Sequence, residues 1–211
     1  MQVRRTQEER SATTQQALRS AARGLWGARG YAAVSTPEIA EAAGVTRGAM
    51  YHQYADKTAL FVAVLEWVET EIMQRLQETV LSAQPNSPAE ALRIAADAWL
   101  DIAAEPDIRQ LVLLDAPNVL GWARFRELSQ GYAYGMTEQL LTAAIESGEL
   151  TPLPVRTLAT VMIGALDEAA MCVATAEDPD QEKVAARAVV HNLIDGLVTR
   201  PGPRARSAPD V

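Results

Sequence analysis

Apolar residues recur every three or four positions along most of this chain, which is the spacing of one face of an α-helix. No stretch alternates apolar and polar residues in the manner of a half-buried strand. The pattern therefore predicts an all-α fold of about nine helices. Their approximate ranges are 10–29, 36–43, 46–54, 56–83, 88–104, 107–116, 120–147, 155–176 and 181–199.

Two short predicted helices near the start of the chain are joined by a tight turn. Thr36 followed by Pro37 is typical of a helix start, with Thr36 as the N-cap. Gly44 and Val45 form the turn, and Thr46 is placed to cap the next helix. This layout is that of a helix-turn-helix unit, which inserts its second helix into the major groove of DNA.

The charge of the chain changes sign along its length. Residues 1–57 carry eight Arg or Lys and five Asp or Glu, whereas residues 58–211 carry 11 basic and 22 acidic residues, within an overall net charge of −8. A basic segment on an otherwise acidic chain indicates an end that faces nucleic acid.

The second short helix begins with side chains suited to the major groove. Arg47 can donate two hydrogen bonds to a guanine edge, and Gly48 and Ala49 allow the backbone to approach the bases. Thr36 and Lys57, at the starts of the flanking helices, are suited to bind phosphate. The alternative is that these are ordinary surface residues of a small helical bundle. The predicted DNA contacts are Thr36, Thr46, Arg47, Gly48, Ala49, Tyr51, His52, Gln53 and Lys57.

The region from about Thr14 to Phe61 resembles the DNA-binding domain of the tetracycline-repressor (TetR) family. The resemblance is carried by the segments ALRSAARGLWGARGY and STPEIAEAAGVTRGAMYHQYADKTALF. Further along, LLLDAPNVLGWARFREL and GALDEAA are similar to one of the family's C-terminal domain types. The remainder of the chain is similar in layout.

This resemblance implies roles for individual residues. Thr36, Tyr51 and Lys57 occupy positions that usually contact phosphates, and residues 46–49 occupy the base-facing start of the recognition helix. Gln53 is a departure, because the family often has histidine there. Glutamine can still bind adenine or phosphate, so only that one contact is affected.

The stretch 155–173 is apolar nearly all round, so it needs cover on two sides. The family resemblance implies a four-helix dimer interface built from the last two helices of each subunit. The alternative is that both helices cap a monomeric core. The predicted interface residues are Leu158, Ala165, Ala169, Ala185, Val189, Leu193 and Leu197.

Aromatic and methionine side chains in the second half predict an effector pocket, although such residues at helical spacing also form ordinary cores. Asp167 and Glu168 lie within an apolar helix. They are suited either to a cationic or hydroxylated ligand or to a hydrogen bond in the dimer interface. The candidate pocket residues are Trp99, Leu113, Val119, Trp122, Phe125, Tyr132, Met136, Met162, Leu166, Asp167 and Met171.

The remaining chemistry of the chain is sparse. One cysteine, Cys172, cannot form an internal disulfide, which fits a reducing compartment, and we expect it to be a buried structural thiol. His191 is expected at an interface or on the surface. Two histidines and one cysteine without close ligand spacing indicate no metal site, and no catalytic residues or cofactor are predicted.

The predicted organisation has three parts. Residues 1–57 form an N-terminal arm and the helix-turn-helix domain, residues 58–199 an effector-binding and dimerisation domain, and residues 200–211 a disordered tail. A linking helix spans about 56–83. The chain lacks a charged leader before an apolar core, and no apolar run reaches about 18 residues. We therefore expect a cytoplasmic protein with no membrane contact.

These features predict a ligand-responsive transcriptional regulator. We expect a repressor that binds double-stranded DNA at a palindromic operator as a homodimer, and that an unknown small-molecule effector releases. One alternative is a dimeric helical adaptor without DNA binding. Another is a small helical enzyme, which would need a catalytic constellation that the sequence does not show.

Overall fold

The computed structural model describes residues 7–199, apart from the side chain of Gln130. Residues 1–6 of the N-terminal arm predicted over residues 1–9, and the predicted disordered tail at 200–211, lie outside the described residues. Every regular element in the described range is helical, which confirms the all-α fold. The elements are α1 (Gln7–Arg29), α2 (Thr36–Ala42), α3 (Arg47–Gln53), α4 (Lys57–Ala83), α5 (Pro88–Ala103), α6 (Pro106–Ile108), the π-helix π1 (Arg109–Asp115), α7 (Ala116–Leu120), α8 (Trp122–Glu146), α9 (Val155–Thr175) and α10 (Pro179–Leu197).

Helices α1, α2 and α3 form a small unit, here called the reader, around a shared core. The fully buried side chains of Trp26 on α1, Ile39 on α2 and Met50 on α3 belong to one apolar cluster. The Trp26 ring meets Phe61 of α4 edge-on, with ring centroids 5.4 Å apart. Because aromatic packing of this kind is directional, it fixes α1 relative to α4, and Met50 holds α3 against the same core.

The capping residues explain the turns of the reader. Helix α1 ends at Gly30, whose φ of +78° is the left-handed conformation that glycine adopts at helix ends. The predicted N-cap at Thr36 is wrong, because Ser35 and Glu38 form a reciprocal capping box one residue earlier. The hydrogen bonds that Glu38 accepts lower its pKa to about 2, and the bond from the Ser35 side chain has the largest effect. Thr36 is therefore the first helical residue.

The first helix also begins earlier than predicted, at Gln7 instead of residue 10. Glu8 and Glu9 lie in its first turn, where negative charge stabilises the helix N-terminus.

Helix α4 links the reader to the rest of the chain. It has 27 residues, which corresponds to about 40 Å. Leu60 and Phe61 are buried at its reader end, and Ile72 and Leu76 are buried further along. All four belong to the same apolar cluster, so the core of the reader continues directly into the second half of the molecule.

The sixth predicted helix, at 107–116, proves to be an interrupted helical run over 106–120. Its middle turns have the wider π geometry of π1, between α6 and α7. Pro117 has no N–H to donate, so the hydrogen-bond ladder cannot continue unchanged through this region. The Asn118 side chain instead donates to the Leu114 carbonyl at 2.7 Å. The helix thus passes the proline and ends before Gly121, which has a φ of +76°.

Helices α5 to α10, together with π1, form the body. Helix α5 lies at its centre and packs against α4, α8, α9 and α10. Two further apolar clusters fill the space around it, one including Leu141 and Ile194 and the other Leu100 and Val173. Helices α9 and α10 pack against each other and against α5, so each has one face left without cover.

Candidate nucleic-acid interface and internal cavity

Helix α3 is held to the core of the reader by Met50, which is fully buried. Thr46 is its N-cap, as predicted, and the Thr46 hydroxyl oxygen accepts a hydrogen bond from the Ala49 N–H at 3.1 Å. With Met50 directed inward, the first turn faces outward and Ala49 is half-buried. The exposed residues of this helix are Arg47, Gly48, Tyr51 and His52.

Three of the predicted DNA contacts form one polar patch on the outer surface. The Thr36 and Tyr51 hydroxyl oxygens lie 3.2 Å apart, within hydrogen-bond distance. The Arg47 guanidinium lies over the Tyr51 ring, 5.5 Å from its centroid. The hydrogen bond with Thr36, followed by that with Arg47, lowers the pKa of the Tyr51 hydroxyl. Residues from the starts of α2 and α3 are thereby presented side by side.

Gly48 is a glycine that the fold itself does not require. A Cβ atom added there would meet only the Thr46 hydroxyl oxygen, at 3.9 Å, which is an ordinary contact. The residue is also not among the glycines with positive φ. A small residue at this exposed position therefore favours close approach by something outside the reader, as expected for a helix that enters the major groove.

Two of the predicted contacts are engaged inside the protein. The Lys57 ammonium donates to the Tyr31 carbonyl at 2.5 Å and lies 3.9 Å from the centroid of the Tyr31 ring, and desolvation lowers its pKa. The Gln53 side-chain oxygen accepts hydrogen bonds from Ser11 at 2.9 Å and from Gln15 at 3.0 Å, both on α1. Gln53 thus holds α3 against α1. The sequence pattern places Gln53 among the DNA contacts and does not predict this contact, because it assigns to α1 only apolar contacts with the core.

The body contains a cavity of about 90 Å³ between α4, α5, π1, α8 and α9. Most of the predicted pocket residues line it, namely Trp99, Leu113, Phe125, Met136, Met162, Leu166 and Asp167. The prediction missed three polar residues in the wall, Glu69 of α4 and Ser129 and Thr137 of α8. Glu69 lies four residues after Leu65 and three before Ile72, both buried, so its spacing alone could have identified it.

The two carboxyl groups of the cavity share an unusual environment. Glu69 is only 5% exposed, and burial raises its pKa to about 7 although the Ser129 hydroxyl donates to it at 2.9 Å. Burial likewise raises the pKa of Asp167 to about 7, against the opposing charge of Arg126. Both groups are therefore partly protonated near neutral pH.

Four predicted pocket residues do not line the cavity. Trp122 is the first residue of α8 and is 63% exposed beyond the end of the cavity. Tyr132 is half-buried next to Ala133, whose side of α8 lines the wall instead. Met171 lies one turn past Asp167 and packs in the cluster around Leu100 and Val173, and Val119 packs against the large cluster of the reader and α4.

Helices α9 and α10 present an exposed apolar surface, here called the α9–α10 face. Its large members, Val161, Val184, Val189 and Leu193, are 56% to 69% exposed. Three predicted interface residues lie on exposed positions of α10, namely Ala185, Val189 and Leu193. A large apolar patch on a soluble protein indicates a surface that another molecule covers.

The other predicted interface residues face inward or are partly covered. Leu158, Ala169 and Leu197 pack against the inner clusters, and Ala165 is half-buried. Helix α9 is apolar on nearly every side, so periodicity could not show which side meets the core.

Neighbouring residues of α9 face opposite ways. Asp167 lines the cavity, whereas Glu168 is exposed. Cys172 is exposed as well, which corrects the expectation of a buried thiol. Glu168 and Cys172 lie on the same side of α9 as the exposed Val161. His191, on α10, lies 3.0 Å from an oxygen of Asp97 and bridges α10 to α5.

Helix α9 is also long and apolar enough to cross a membrane, judged by length and composition alone. It has a window of mean hydropathy 1.5, of which 22% is buried in the structure. A helix from the core or an interface of a soluble protein meets the same criterion, so this observation by itself does not indicate a membrane span.

Specific contacts tie the reader to the body. Arg23 on α1 bonds both Glu71 on α4, at 2.6 Å, and Asp107 on α6, at 3.0 Å. The Tyr31 N–H donates to the Asp115 carboxyl at 2.8 Å. Asp115 ends π1, and Leu113 of the same π-helix lines the cavity. A shift of the cavity wall therefore has a short path to the reader.

Comparison with known proteins agrees with this geometry. Residues 18–64 match the tetR family of bacterial regulatory proteins, and residues 89–197 match the tetracyclin repressor-like C-terminal domain. A crystal structure of a TetR-family transcriptional regulator from Pectobacterium atrosepticum has a TM-score of 0.81 and 34% identity, covering 93% of this chain and 100% of that one. This chain belongs to the TetR family.

Two other similar proteins show how far the likeness extends. The HTH-type transcriptional regulator CymR from Pseudomonas putida is 36% identical over 46% of this chain, and the chain spans about half the length of CymR. The transcriptional regulator FadR from Bacillus subtilis, solved in complex with stearoyl-CoA, shares the fold at 20% identity and a TM-score of 0.69, covering 87% of this chain and 99% of that one. As a TetR-family member, the protein is a DNA-binding transcriptional regulator and not an enzyme.

Proposed function

We propose that this regulator is a repressor that binds a palindromic operator as a homodimer and is released by a small-molecule effector. One observation carries the proposal above the others. Helix α4 is anchored in the reader through Leu60 and Phe61, and the same helix lines the cavity through Glu69, Ile72 and Met73. A ligand that changes the cavity therefore acts directly on the helix that positions the reader.

The polar patch on the reader supports the DNA-binding half of the proposal. Thr36 and Tyr51 contact phosphates, and Arg47, exposed at the start of α3, reads a base edge. Thr46, Gly48, Ala49 and His52 complete the contact surface. Lys57 and Gln53 act at its edge, where they hold the reader in shape and reach DNA only through their remaining donors.

The α9–α10 face supports the dimer. A single helix-turn-helix reads one half-site, and two half-sites about 34 Å apart require two readers on one particle. The exposed apolar residues of both helices give a second copy a surface to cover, since a two-fold interface uses the same patch on both subunits.

We propose that this face meets protein and not lipid, in a cytoplasmic molecule. Asp167 and Glu168 lie in the middle of α9, and a charged side chain at a bilayer centre costs about 2.5–3.5 kcal/mol. Helix α9 also packs against α5, α8 and α10.

Release requires an effector that binds the non-DNA-binding arrangement more tightly than the other. The cavity offers the site, and π1 and α4 offer two routes to the reader through Asp115 and Phe61. The fold is compatible with small-molecule ligands, since FadR from Bacillus subtilis was solved with stearoyl-CoA.

A footprint on the DNA upstream of the gene, at moderate salt, tests the proposal. We expect protection of two inverted half-sites, and a complex whose mass is that of two protomers plus one operator duplex. Binding to random duplex with the same affinity would contradict operator recognition. Titration with salt separates a DNA-binding dimer from a helical adaptor, because phosphate contacts weaken steeply as salt rises.

A further inference from the structure

The cavity places two carboxyl groups among apolar walls without a basic partner in the wall. Glu69 and Asp167 line it from α4 and α9, and no Lys, Arg or His of the described residues does so. The Ser129 hydroxyl donates to Glu69. Among the described side chains none donates a hydrogen bond to the Asp167 carboxyl group, whose only opposing charge is that of Arg126 on α8.

Buried charge is normally paired, because removing it from water without a partner is unfavourable. A structural role in the core would call for an ion pair across the cavity, like the one that Arg23 makes outside it with Glu71 and Asp107. None of the elements that border the cavity contributes a basic side chain to its wall, so a counter-charge for the ionised carboxylates would be supplied by a bound molecule.

Trp99 contributes a buried donor and an aromatic ring to the wall. The Trp99 indole Nε1 is buried and has no hydrogen-bond acceptor within the part of the chain that the structure describes. Trp99 and Phe125 expose aromatic rings to the cavity, and the faces of such rings attract cations. Carboxyl groups and aromatic rings in one small cavity form a set that favours positive charge and opposes negative charge.

We propose that the effector is a compact organic cation, a protonated amine on an apolar body, with Glu69 and Asp167 as its counter-charges. This inference rests on the proposed function, since it assigns a ligand class to the effector cavity. The ammonium group supplies the positive charge that the wall does not give to either carboxylate. The apolar body occupies the space between Met73, Met136 and Met162.

The size of the cavity indicates how such a ligand acts. A volume of about 90 Å³ is smaller than the roughly 150 Å³ of a protein cavity that accepts benzene. An amine with an aromatic or alkyl body must therefore displace the wall, and unbranched methionine side chains allow this. Because Glu69 lies on α4, the displacement and the new charge pair both act on the helix that carries the reader.

Protonation gives the inference a signature. Both carboxyl groups have pKa values raised to about 7, and a cation binds their ionised forms. A simple alkylamine stays protonated until about pH 10. The affinity for the cation therefore rises as pH increases through 7 and levels off above it, with Arg126 as the one further charged group that acts on Asp167.

Calorimetric titration of the full chain with three probes that differ mainly in charge tests this. The probes are phenylbutylamine, phenylbutanol and phenylbutanoate, in an amine-free buffer. At about pH 8 we expect phenylbutylamine to bind about tenfold to a hundredfold more tightly than phenylbutanol, which is the range that charge-assisted hydrogen bonds provide. We expect phenylbutanoate not to bind. At about pH 6 we expect the preference for the amine to fall about tenfold, because most of each carboxyl group is then protonated.

Two pairs of variants locate the effect. Glu69→Gln and Asp167→Asn should each remove about tenfold or more of the amine affinity and leave the alcohol unchanged. The controls are Glu66→Gln and Glu168→Gln, which remove the same charge from exposed positions of α4 and α9. They should change neither the amine affinity nor the alcohol affinity. Equal affinity for amine and alcohol, or no amine binding at millimolar concentration, would overturn the inference; the pH dependence of the unaltered protein decides it if a variant fails to fold.

Release of operator DNA by the same probes is measured separately. If the alcohol releases the operator and the amine does not, the effector-release proposal stands and the cation inference fails. If the amine binds with the expected carboxylate and pH dependence while the operator stays bound, the cation site stands and release through this cavity fails.

Discussion

The reader and the body place polar and apolar groups in opposite environments. In the reader, Arg47 and Tyr51 are exposed to water above a core that is closed by Trp26 and Met50. In the body, charge is buried in the cavity while large apolar side chains are exposed on the α9–α10 face. Buried charge and exposed apolar surface are the informative departures from ordinary burial, and both occur in the body.

This difference shows which part of the molecule leaves apolar surface and charge without a partner. The outer polar patch of the reader is exposed to water, and its apolar core is packed, partly against α4. The body has an apolar face that needs cover and two carboxyl groups that need a counter-charge. We therefore expect changes in the body to alter assembly and stability, and changes on the surface of the reader to alter only DNA binding.

The strongest way to test the comparison is to place charge on the α9–α10 face. Leu193→Asp puts one carboxylate from each subunit into the proposed interface, where charge is poorly solvated. We expect a monomer, and a loss of operator affinity of about 100-fold or more, since joining two readers contributes about 10²–10⁴. Sedimentation velocity and operator titration measure the two effects.

The matched control is Leu81→Asp, which makes the same change at a leucine that is 75% exposed near the end of α4. It should leave both mass and operator affinity unaltered. A Leu193→Asp protein that remains dimeric would contradict the proposed interface.

The next test removes a buried charge. The pKa of Glu69 is raised from 4.5 to about 7 in the folded protein, so the folded state holds a proton that the unfolded state has lost between those values. Stability therefore falls as pH rises through this window and is lowest above it. Glu69→Gln removes this loss, and we expect it to raise the free energy of unfolding at about pH 8 by about 1–3 kcal/mol.

Near pH 4 the same variant should differ little from the unaltered protein, because Glu69 is then protonated in both states. Urea denaturation at both pH values measures this, and the difference between the two proteins cancels the titration of other groups. Glu66→Gln, at an exposed position of α4, provides the control. A difference that does not change with pH would show that the pKa of Glu69 is not raised in the folded protein.

The sequence predicts the reader more fully than the body for a physical reason. Its elements are marked by local signals that act within a few residues, such as Gly30 at a helix end and Thr46 at a helix start. Ser35 and Glu38 have the spacing of a capping box, which is also a local signal. In the structure Ser35 is the N-cap, and not Thr36 as predicted.

The cavity depends on contacts between distant segments, which periodicity does not specify. Glu69 and Asp167 lie 98 positions apart and meet only because α4 and α9 border the same space. Likewise Gln53 was predicted to face DNA, but polar residues on α1 hold it. Helix α9 is apolar on all sides, so only its packing shows that Val161 faces outward and Leu158 inward.

The mildest change removes an exposed charge from the reader. Arg47→Ala deletes an exposed side chain that contacts the ring and the hydroxyl of Tyr51, so we expect the free energy of unfolding to change by no more than about 0.5 kcal/mol. If Arg47 reads guanine, operator affinity should fall by about 1–3 kcal/mol, with relaxed specificity at one base pair of each half-site. Fluorescence anisotropy on operator and random duplexes measures both.

The random duplex decides what kind of contact Arg47 makes. A base contact is lost only from the operator, whereas a phosphate contact is lost equally from both sequences and also lowers the salt dependence of binding. Arg156→Ala, at an exposed arginine of α9, controls for the loss of one positive charge and should affect neither duplex. Equal losses on the two duplexes would therefore place Arg47 with Thr36 and Tyr51 among the phosphate contacts, and would leave Gly48, Ala49 and their neighbours to read the operator.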